Sequence, residues 1–309
     1  MKDQASGLRV MMAKKTRERE LKERATLLQS LIDSAGEMPP PRLRQILAVT
    51  SGKGGVGKST ISANLGLYFS SRGLETILMD ADLGLANIDV ILGVKPSGTL
   101  LQVIRGQKSL KEIIQPGPMG LKLISGASGI ADLANLSETE RRNLIGEIAS
   151  LQYEGEILLI DTGAGLSQNV LGFLTLADQV VLIVTDEPAS IADSYGVVKA
   201  LSQANYQGKI TVIMNRIRIE KHGRMLFHKL CATAKKFLKK DLKLAGIILD
   251  EPLVRESTQK MQPFYILSPA AEVTRNLRGI GEVVLGASEY KPDAGHSILK
   301  RLSSFFSIR

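Results

Sequence analysis

The sequence predicts an α/β chain, a doubly wound and mostly parallel sheet with helices on both faces. Three observations predict it. Seven short apolar runs recur along the chain, separated by longer stretches of helical periodicity, as parallel strands with crossover helices require. Several runs are apolar at every position, so both faces of those strands must be covered. The first run is followed at once by a glycine-rich loop and a helical pattern, the strand–loop–helix unit that cradles phosphate.

In chain order the runs are Ile46–Val49, Thr76–Met79, Leu121–Ile124, Ile157–Ile160, Val180–Val184, Ile210–Ile213 and Leu244–Ile248. No repeat of solenoid length interrupts them, so residues 45–290 read as one P-loop domain. Residues 1–44 form an N-terminal arm of different composition. Leu21, Leu28 and Ile32, with Leu27 and Leu31 beside them, recur at helical spacing until Pro39-Pro40-Pro41 ends the pattern. Residues 291–309 read as a linker followed by a short amphipathic segment.

Composition excludes several classes. The 309 residues hold one cysteine, Cys231, so neither an intrachain disulfide nor a thiolate metal cage can form within a subunit. That cysteine usage leads to the expectation of a cytoplasmic protein, and since no apolar run approaches the ~20 residues of a spanning helix, the chain is not expected to cross a membrane. Aromatic residues at 4% and the absence of Trp argue against a stacking platform for single-stranded nucleic acid.

The loop after the first strand reads Gly52-Lys53-Gly54-Gly55-Val56-Gly57-Lys58-Ser59-Thr60 and fits G-x-x-x-x-G-K-[ST]. Its glycines let backbone N–H groups turn toward phosphate oxygens, and the helix beginning near Lys58 adds its positive end. Lys58 supplies charge to the β and γ phosphates of ATP, or to the β phosphate of ADP, and Ser59 is placed to ligate Mg²⁺. Asp80 and Asp82 follow the second strand and Asp161 follows the fourth run, all at carboxyl ends, where ligands of such sheets bind. Asp80 and Asp161 are the expected metal-side carboxylates, and Asp82 the residue orienting the attacking water. A helix cap is the alternative for Asp80 and Asp82. The guanine pattern Asn-Lys-x-Asp is replaced by Met214-Asn215-Arg216-Ile217, which favours adenine. Asn215, whose amide offers donor and acceptor, and the loop Asp250-Glu251-Pro252 are the expected base pocket, with a strand-end cap as the alternative for Asn215.

These residues resemble the MinD/ParA class of deviant Walker A ATPases. Lys53 stands where that class has its additional signature lysine, and Asp80-Ala81-Asp82-Leu83-Gly84 and Asp161-Thr162-Gly163-Ala164-Gly165 look like its switch I and switch II segments. The resemblance implies an ATP-dependent homodimer in which Lys53 reaches the partner's phosphates while Lys58 and Ser59 hold nucleotide and metal within the subunit. Within the class, Asp3-Gln4-Ala5-Ser6-Gly7-Leu8-Arg9 resembles the activator motif of the FlhG family (also called FleN or YlxH), MinD-like regulators of flagellar number and placement. That resemblance implies an FlhF-type GTPase as partner, with Gln4 orienting water or phosphate and Asp3, Ala5, Leu8 and Arg9 in contact. Flagellar switch or basal-body proteins are further implied partners.

Between Arg216 and Lys243 ten basic residues face two acidic ones, a net of +8 that accounts for nearly all of the chain's +9. Lys229, Lys235, Lys236, Lys239 and Lys240, interleaved with Leu226, Phe227, Leu230, Phe237 and Leu238, predict a helix with an apolar inner and a basic outer side. An anionic membrane, an acidic protein and nucleic acid compete for it. In the tail, Ile298, Leu299, Leu302, Phe305 and Phe306 fall on one side of a helix, an interfacial pattern suited to an anionic membrane surface, with a terminal helix docked on its own domain or on a groove near the dimer interface as the alternative. Two tails on one dimer would bind far better than one. The leading expectation is therefore a membrane-associated ATPase of the FlhG type. The alternative is a ParA-type DNA-partition ATPase using residues 216–243. An iron–sulfur carrier of the same fold is disfavoured by the lone cysteine.

Overall fold

The computed structural model describes residues 42–82, 86–126, 144 and 146–286. All of them fall within the unit Pro41–Arg309. The arm heptapeptide, the predicted arm helix, Leu83 and Gly84 of the second carboxylate loop, and the amphipathic tail lie outside the described residues.

Each of the seven apolar runs forms a strand. In chain order the strands are β1 (Gln45–Thr50), β2 (Thr76–Ala81), β3 (Gln115–Pro116), β4 (Lys122–Ile124), β5 (Ile157–Thr162), β6 (Gln179–Val184), β7 (Lys209–Ile217) and β8 (Lys243–Leu249). They make one sheet in the order β3-β4-β2-β5-β1-β6-β7-β8. Every pairing is parallel except β3 with β4. Two-residue β3 carries no apolar signal. Pro116, which has no N–H to give, suits its place at the sheet edge.

The helices are α1 (Lys58–Ser71), α2 (Ile88–Leu92), α3 (Leu100–Ile104), α4 (Leu110–Ile113), α5 (Gln168–Leu176), α6 (Pro188–Gln203), α7 (Glu220–Leu238), α8 (Pro252–Gln259), α9 (Phe264–Leu267) and α10 (Glu272–Leu285). Alternate strand residues feed two cores. Leu47, Val49, Leu78 and Leu159 pack with α1, α9 and α10, whereas Ile46, Ala48, Ile160 and Leu182 pack with α5, α6 and α7. Because α1 is sandwiched between the sheet and α10, it is buried nearly all round, from Lys58 to Phe69. Closeness demands a glycine at one crossing, since a Cβ on Gly281 would stand 2.3 Å from the Tyr68 ring. The N-terminus of α1 is thereby fixed rigidly at the carboxyl edge of β1, with β5 on one side and β6 on the other.

Helix α7 corrects one expectation. Phe227, Leu230 and Ala234 are buried, and Leu226 and Leu238 pack partly against the core, as the pattern predicts. Phe237, which the pattern places inward, is 64% exposed. The inward stripe continues from Ala234 to Leu238, one full turn on, which leaves Phe237 on the outer shoulder. There its ring lies 5.2 Å from the Lys236 ammonium, amid exposed lysines.

Candidate nucleotide site

The loop between β1 and α1 has its carbonyls held from outside. Gly55 and Gly57 adopt φ of +77° and +90°, backbone conformations that a Cβ opposes. Gly52 is required for a different reason, because a Cβ there would stand 2.3 Å from the Asp193 backbone of α6. Asn215 donates from Nδ2 to the Val56 carbonyl at 2.7 Å, and Arg216 donates from Nη1 to the Gly55 carbonyl at 3.2 Å. Ser51 Oγ donates to the Lys53 carbonyl at 2.8 Å. With these carbonyls engaged, the loop N–H groups can converge on an anion at the start of α1, where the helix dipole adds attraction. Val56 anchors the loop in the core, Gly54 is exposed, and Ser59 and Thr60 sit half-buried in the first turn of α1.

The two lysines of the loop have opposite surroundings. Lys58 is only 7% exposed, and its Nζ lies 3.4 and 3.5 Å from the carboxylate oxygens of fully buried Asp161. Ser62, one turn along α1, donates to Asp161 Oδ1 at 2.7 Å. Lys53 instead points to the rim, its side chain 41% exposed, and pairs with Glu187 at the N-terminus of α6.

Asp80 and Asp161 are direct neighbours in the register of β2 and β5. Asp80 accepts from the backbone N–H groups of Asp82 at 3.0 Å, Asn87 at 2.9 Å and Ile88 at 3.1 Å, so it also holds the start of α2. Burial, and then the Asp161 charge, push its carboxyl up to about 7. Burial pushes Asp161 up as well, against the pull of Lys58, Ser59 and Ser62. Two buried carboxyls beside one ammonium leave the interior short of positive charge, a setting that favours a cation. Among the described residues no group of three or more His, Cys, Asp or Glu could hold a metal unaided. Mg²⁺ in a nucleotide site needs none, since phosphate, water, a hydroxyl and one or two carboxylates complete its shell. Ser59, Asp161 and Asp80 fit that requirement.

The segment Asp161–Gly165 is stitched to the phosphate loop. Thr162 Oγ1 donates to the Val49 carbonyl at 3.0 Å, and Gly165 N donates to the Ser51 carbonyl at 3.0 Å. Half-buried Asp82 faces this segment, for a Cβ on Gly163 would lie 3.6 Å from Asp82 Oδ1.

A β-strand with a phosphate loop, a buried lysine–aspartate pair behind it and a second lysine on the rim constitute a nucleotide site, and similarity to known proteins gives its kind. The CobQ/CobB/MinD/ParA nucleotide-binding domain matches residues 47–264. The chain belongs to this family. It is 36% identical over 240 residues to the antiactivator FleN of Pseudomonas aeruginosa, covering 78% of this chain and 86% of that protein. It is 34% identical over 272 residues to the flagellum site-determining protein YlxH of Helicobacter pylori, covering 84% and 90%. The septum site-determining protein MinD of Pyrococcus horikoshii, solved with Mg-ADP, matches with a TM-score of 0.66 at 24% identity, covering 79% of this chain and 97% of that one. At that identity the likeness is one of fold. As a MinD/ParA ATPase the chain uses ATP and ADP with Mg²⁺ and hydrolyses ATP.

In this MinD/ParA site the residues expected at the base occupy the carboxyl ends of β7 and β8. Asn215 is 3% exposed and braces the loop as described, so its amide is already engaged on the phosphate side. Asp250 N donates to the Ile217 carbonyl at 3.0 Å, which ties the two strand ends, and its carboxylate pairs with Arg255 at 2.7 Å. Glu251 precedes Pro252, the first residue of α8, and burial followed by Glu272 pushes its carboxyl up. Three residues of the site escape sequence reasoning. Ser62 has a signal, its i+4 spacing from Lys58. Glu187 also has one, since it follows β6 at a carboxyl end just before a proline-initiated helix. Arg216 has none, because a bulge decides where it points.

Proposed function

We propose that the chain is a MinD-like regulator of flagellar number and placement that works as an ATP-held homodimer. The carrying observation is the opposite placement of its two loop lysines. Lys58 is buried against Asp161 and serves the subunit's own nucleotide, while Lys53 stands on the rim, where a second subunit's phosphates can be reached. Developing charge on the transferred phosphoryl group needs positive charge close by, and Lys53 supplies it when two subunits meet. Asp82 orients the attacking water beside the Gly163 backbone. Asn215 and the loop Asp250-Glu251-Pro252 line the base.

The similarity to FleN and YlxH, one described as an antiactivator and the other as flagellum site-determining, supports the flagellar branch. In this reading the arm residues Asp3, Gln4, Ala5, Leu8 and Arg9 stimulate an FlhF-type GTPase. Ile298, Leu299, Leu302, Phe305 and Phe306 attach the dimer reversibly to the inner face of the membrane. The basic shoulder of α7 with exposed Phe237 faces an acidic flagellar switch or basal-body protein.

Two experiments test the reading. Asp82→Ala protein saturated with Mg-ATP should sediment as a dimer, and single subunits only would overturn the sandwich. A peptide of residues 1–16 should accelerate GTP hydrolysis by an FlhF-type enzyme, and its Gln4→Ala form should not. The charge on α7 also favours a second reading, DNA partition. Protein truncated at residue 290 that still binds duplex DNA, with affinity falling steeply in salt, would put that reading first.

A further inference from the structure

Arg216 sits where β7 loses register with β8, at the irregularity between Met214 and Ile217. Its φ of +57° lies in the left-handed region, unusual for a residue with a long side chain. Bulges re-aim side chains, and this one turns Arg216 outward between buried Asn215 and buried Ile217. The guanidinium lands over the phosphate loop, giving one of its five N–H groups to the Gly55 carbonyl. Gly55 is two residues from Lys53, which pairs with Glu187, and the Glu187 carboxyl is held below the usual range first by Lys53 and additionally by Arg216. Two cations of the rim therefore share one carboxylate, and Lys53 holds the direct contact.

We propose that Arg216 is a positioning residue that takes over Glu187 when Lys53 departs for the phosphates of a second subunit. This rests on the sandwich reading given above. Departure of Lys53 would otherwise strand the Glu187 carboxylate on the rim that a triphosphate approaches, and like charges there oppose docking. A guanidinium anchored on Gly55, with further N–H groups to offer, can accept the carboxylate without leaving the loop. Glu187 thus keeps Lys53 parked in the single subunit and hands over to Arg216 in the pair.

The test uses full-length protein in an Asp82→Ala background, comparing Arg216→Gln, Glu187→Gln and the double variant. Dimer dissociation in Mg-ATP is read by sedimentation, and ADP affinity by titration with a fluorescent ADP. An exposed ion pair is worth a factor of a few and a dimer counts it twice, so Arg216→Gln should weaken the dimer about tenfold. Arg216→Gln also removes the brace on the Gly55 carbonyl, so ADP affinity should fall as well, by a loss that Glu187→Gln leaves in place. The dimer loss should be mostly recovered by adding Glu187→Gln, because no carboxylate remains to be stranded. An unchanged dimer, or failure of Glu187→Gln to rescue it, would each overturn the proposal. Lys53→Ala separates the two layers: dimers that persist without Lys53 refute the sandwich reading. Dimers lost with Lys53→Ala but indifferent to Arg216→Gln refute only the handover.

Discussion

Removing the Asp80 charge should flatten the pH dependence of folding stability in the nucleotide-free protein. Asp80 is buried beside Asp161, and its carboxyl titrates at about 7 in the folded chain against an ordinary value of 3.8. A carboxyl that holds its proton more tightly when folded stabilises the protein fully below its unfolded pKa, and that contribution is lost as pH rises through the folded one. The rise from 3.8 to about 7 corresponds to ~4 kcal/mol in all, of which ~2 kcal/mol falls between roughly pH 5.5 and 8. Urea unfolding of wild type and Asp80→Asn in EDTA, without nucleotide, reads that difference directly. Asparagine also loses one of the three backbone hydrogen bonds, at ~1 kcal/mol. That loss is constant with pH and leaves the slope difference intact. Mg-ADP should flatten the wild-type curve too, because the cation replaces the proton as the partner of the buried carboxylates. Parallel wild-type and Asp80→Asn curves would refute the placement of the proton and, with it, the argument for a cation at this spot.

Four other outcomes follow from the same geometry. Lys58→Ala should abolish nucleotide retention in equilibrium dialysis and, by leaving Asp161 buried without its ammonium, lower stability by ~3 kcal/mol, most of it recovered by adding Asp161→Asn. Gly52→Ala drives a methyl into the Asp193 backbone 2.3 Å away, so ATPase activity should fall sharply while circular dichroism stays native. Asn215→Ala removes the brace on the Val56 carbonyl and should weaken ADP binding by about tenfold, the worth of a buried hydrogen bond. Gly281→Ala, pressed against the Tyr68 ring, should cost ~2 kcal/mol in thermal or urea unfolding and leave nucleotide affinity unchanged, since it strains α1 on the side away from the loop.

Much of this architecture is legible in the amino-acid sequence. Strands such as Val180–Val184 announce themselves because a strand covered on both faces has no polar position to hide it. The phosphate loop is legible because only glycine readily tolerates the backbone at Gly55 and Gly57. Asp80 and Asp161 are legible because strand ends are where a parallel sheet presents ligands. What stays hidden has equally specific causes. Counting apolar residues places Phe237 inward, yet a helix gives one inward place per turn there and Leu238 takes it. Strand β3 is two residues long and held by one neighbour, too short for any periodicity. Glu187 and Lys53 lie 134 positions apart, so their pairing is a product of sheet order, with β6 beside β1. Residue type assigns Asn215 to the base, while its hydrogen bond to the Val56 carbonyl gives it a second task, bracing the loop, that no single-residue reasoning would separate from the first.

The charges of the site divide into two sets, one short of positive charge and one short of negative charge. The buried set is Asp80, Asp161 and Lys58, two carboxyls to one ammonium, and burial with the Asp161 charge pushes the Asp80 carboxyl up to about 7, toward the neutral form that balances the set. The rim set is Lys53, Arg216 and Glu187, two cations to one carboxylate. A divalent cation alone would satisfy the interior but crowd the rim with further positive charge; a triphosphate alone would satisfy the rim but repel the interior. Magnesium and triphosphate together discharge both imbalances, and each then favours the other's retention. In the proposed sandwich Lys53 is the group to exchange between subunits, because its side chain is exposed and the proposed handover gives its carboxylate to Arg216, so that neither subunit is left unbalanced.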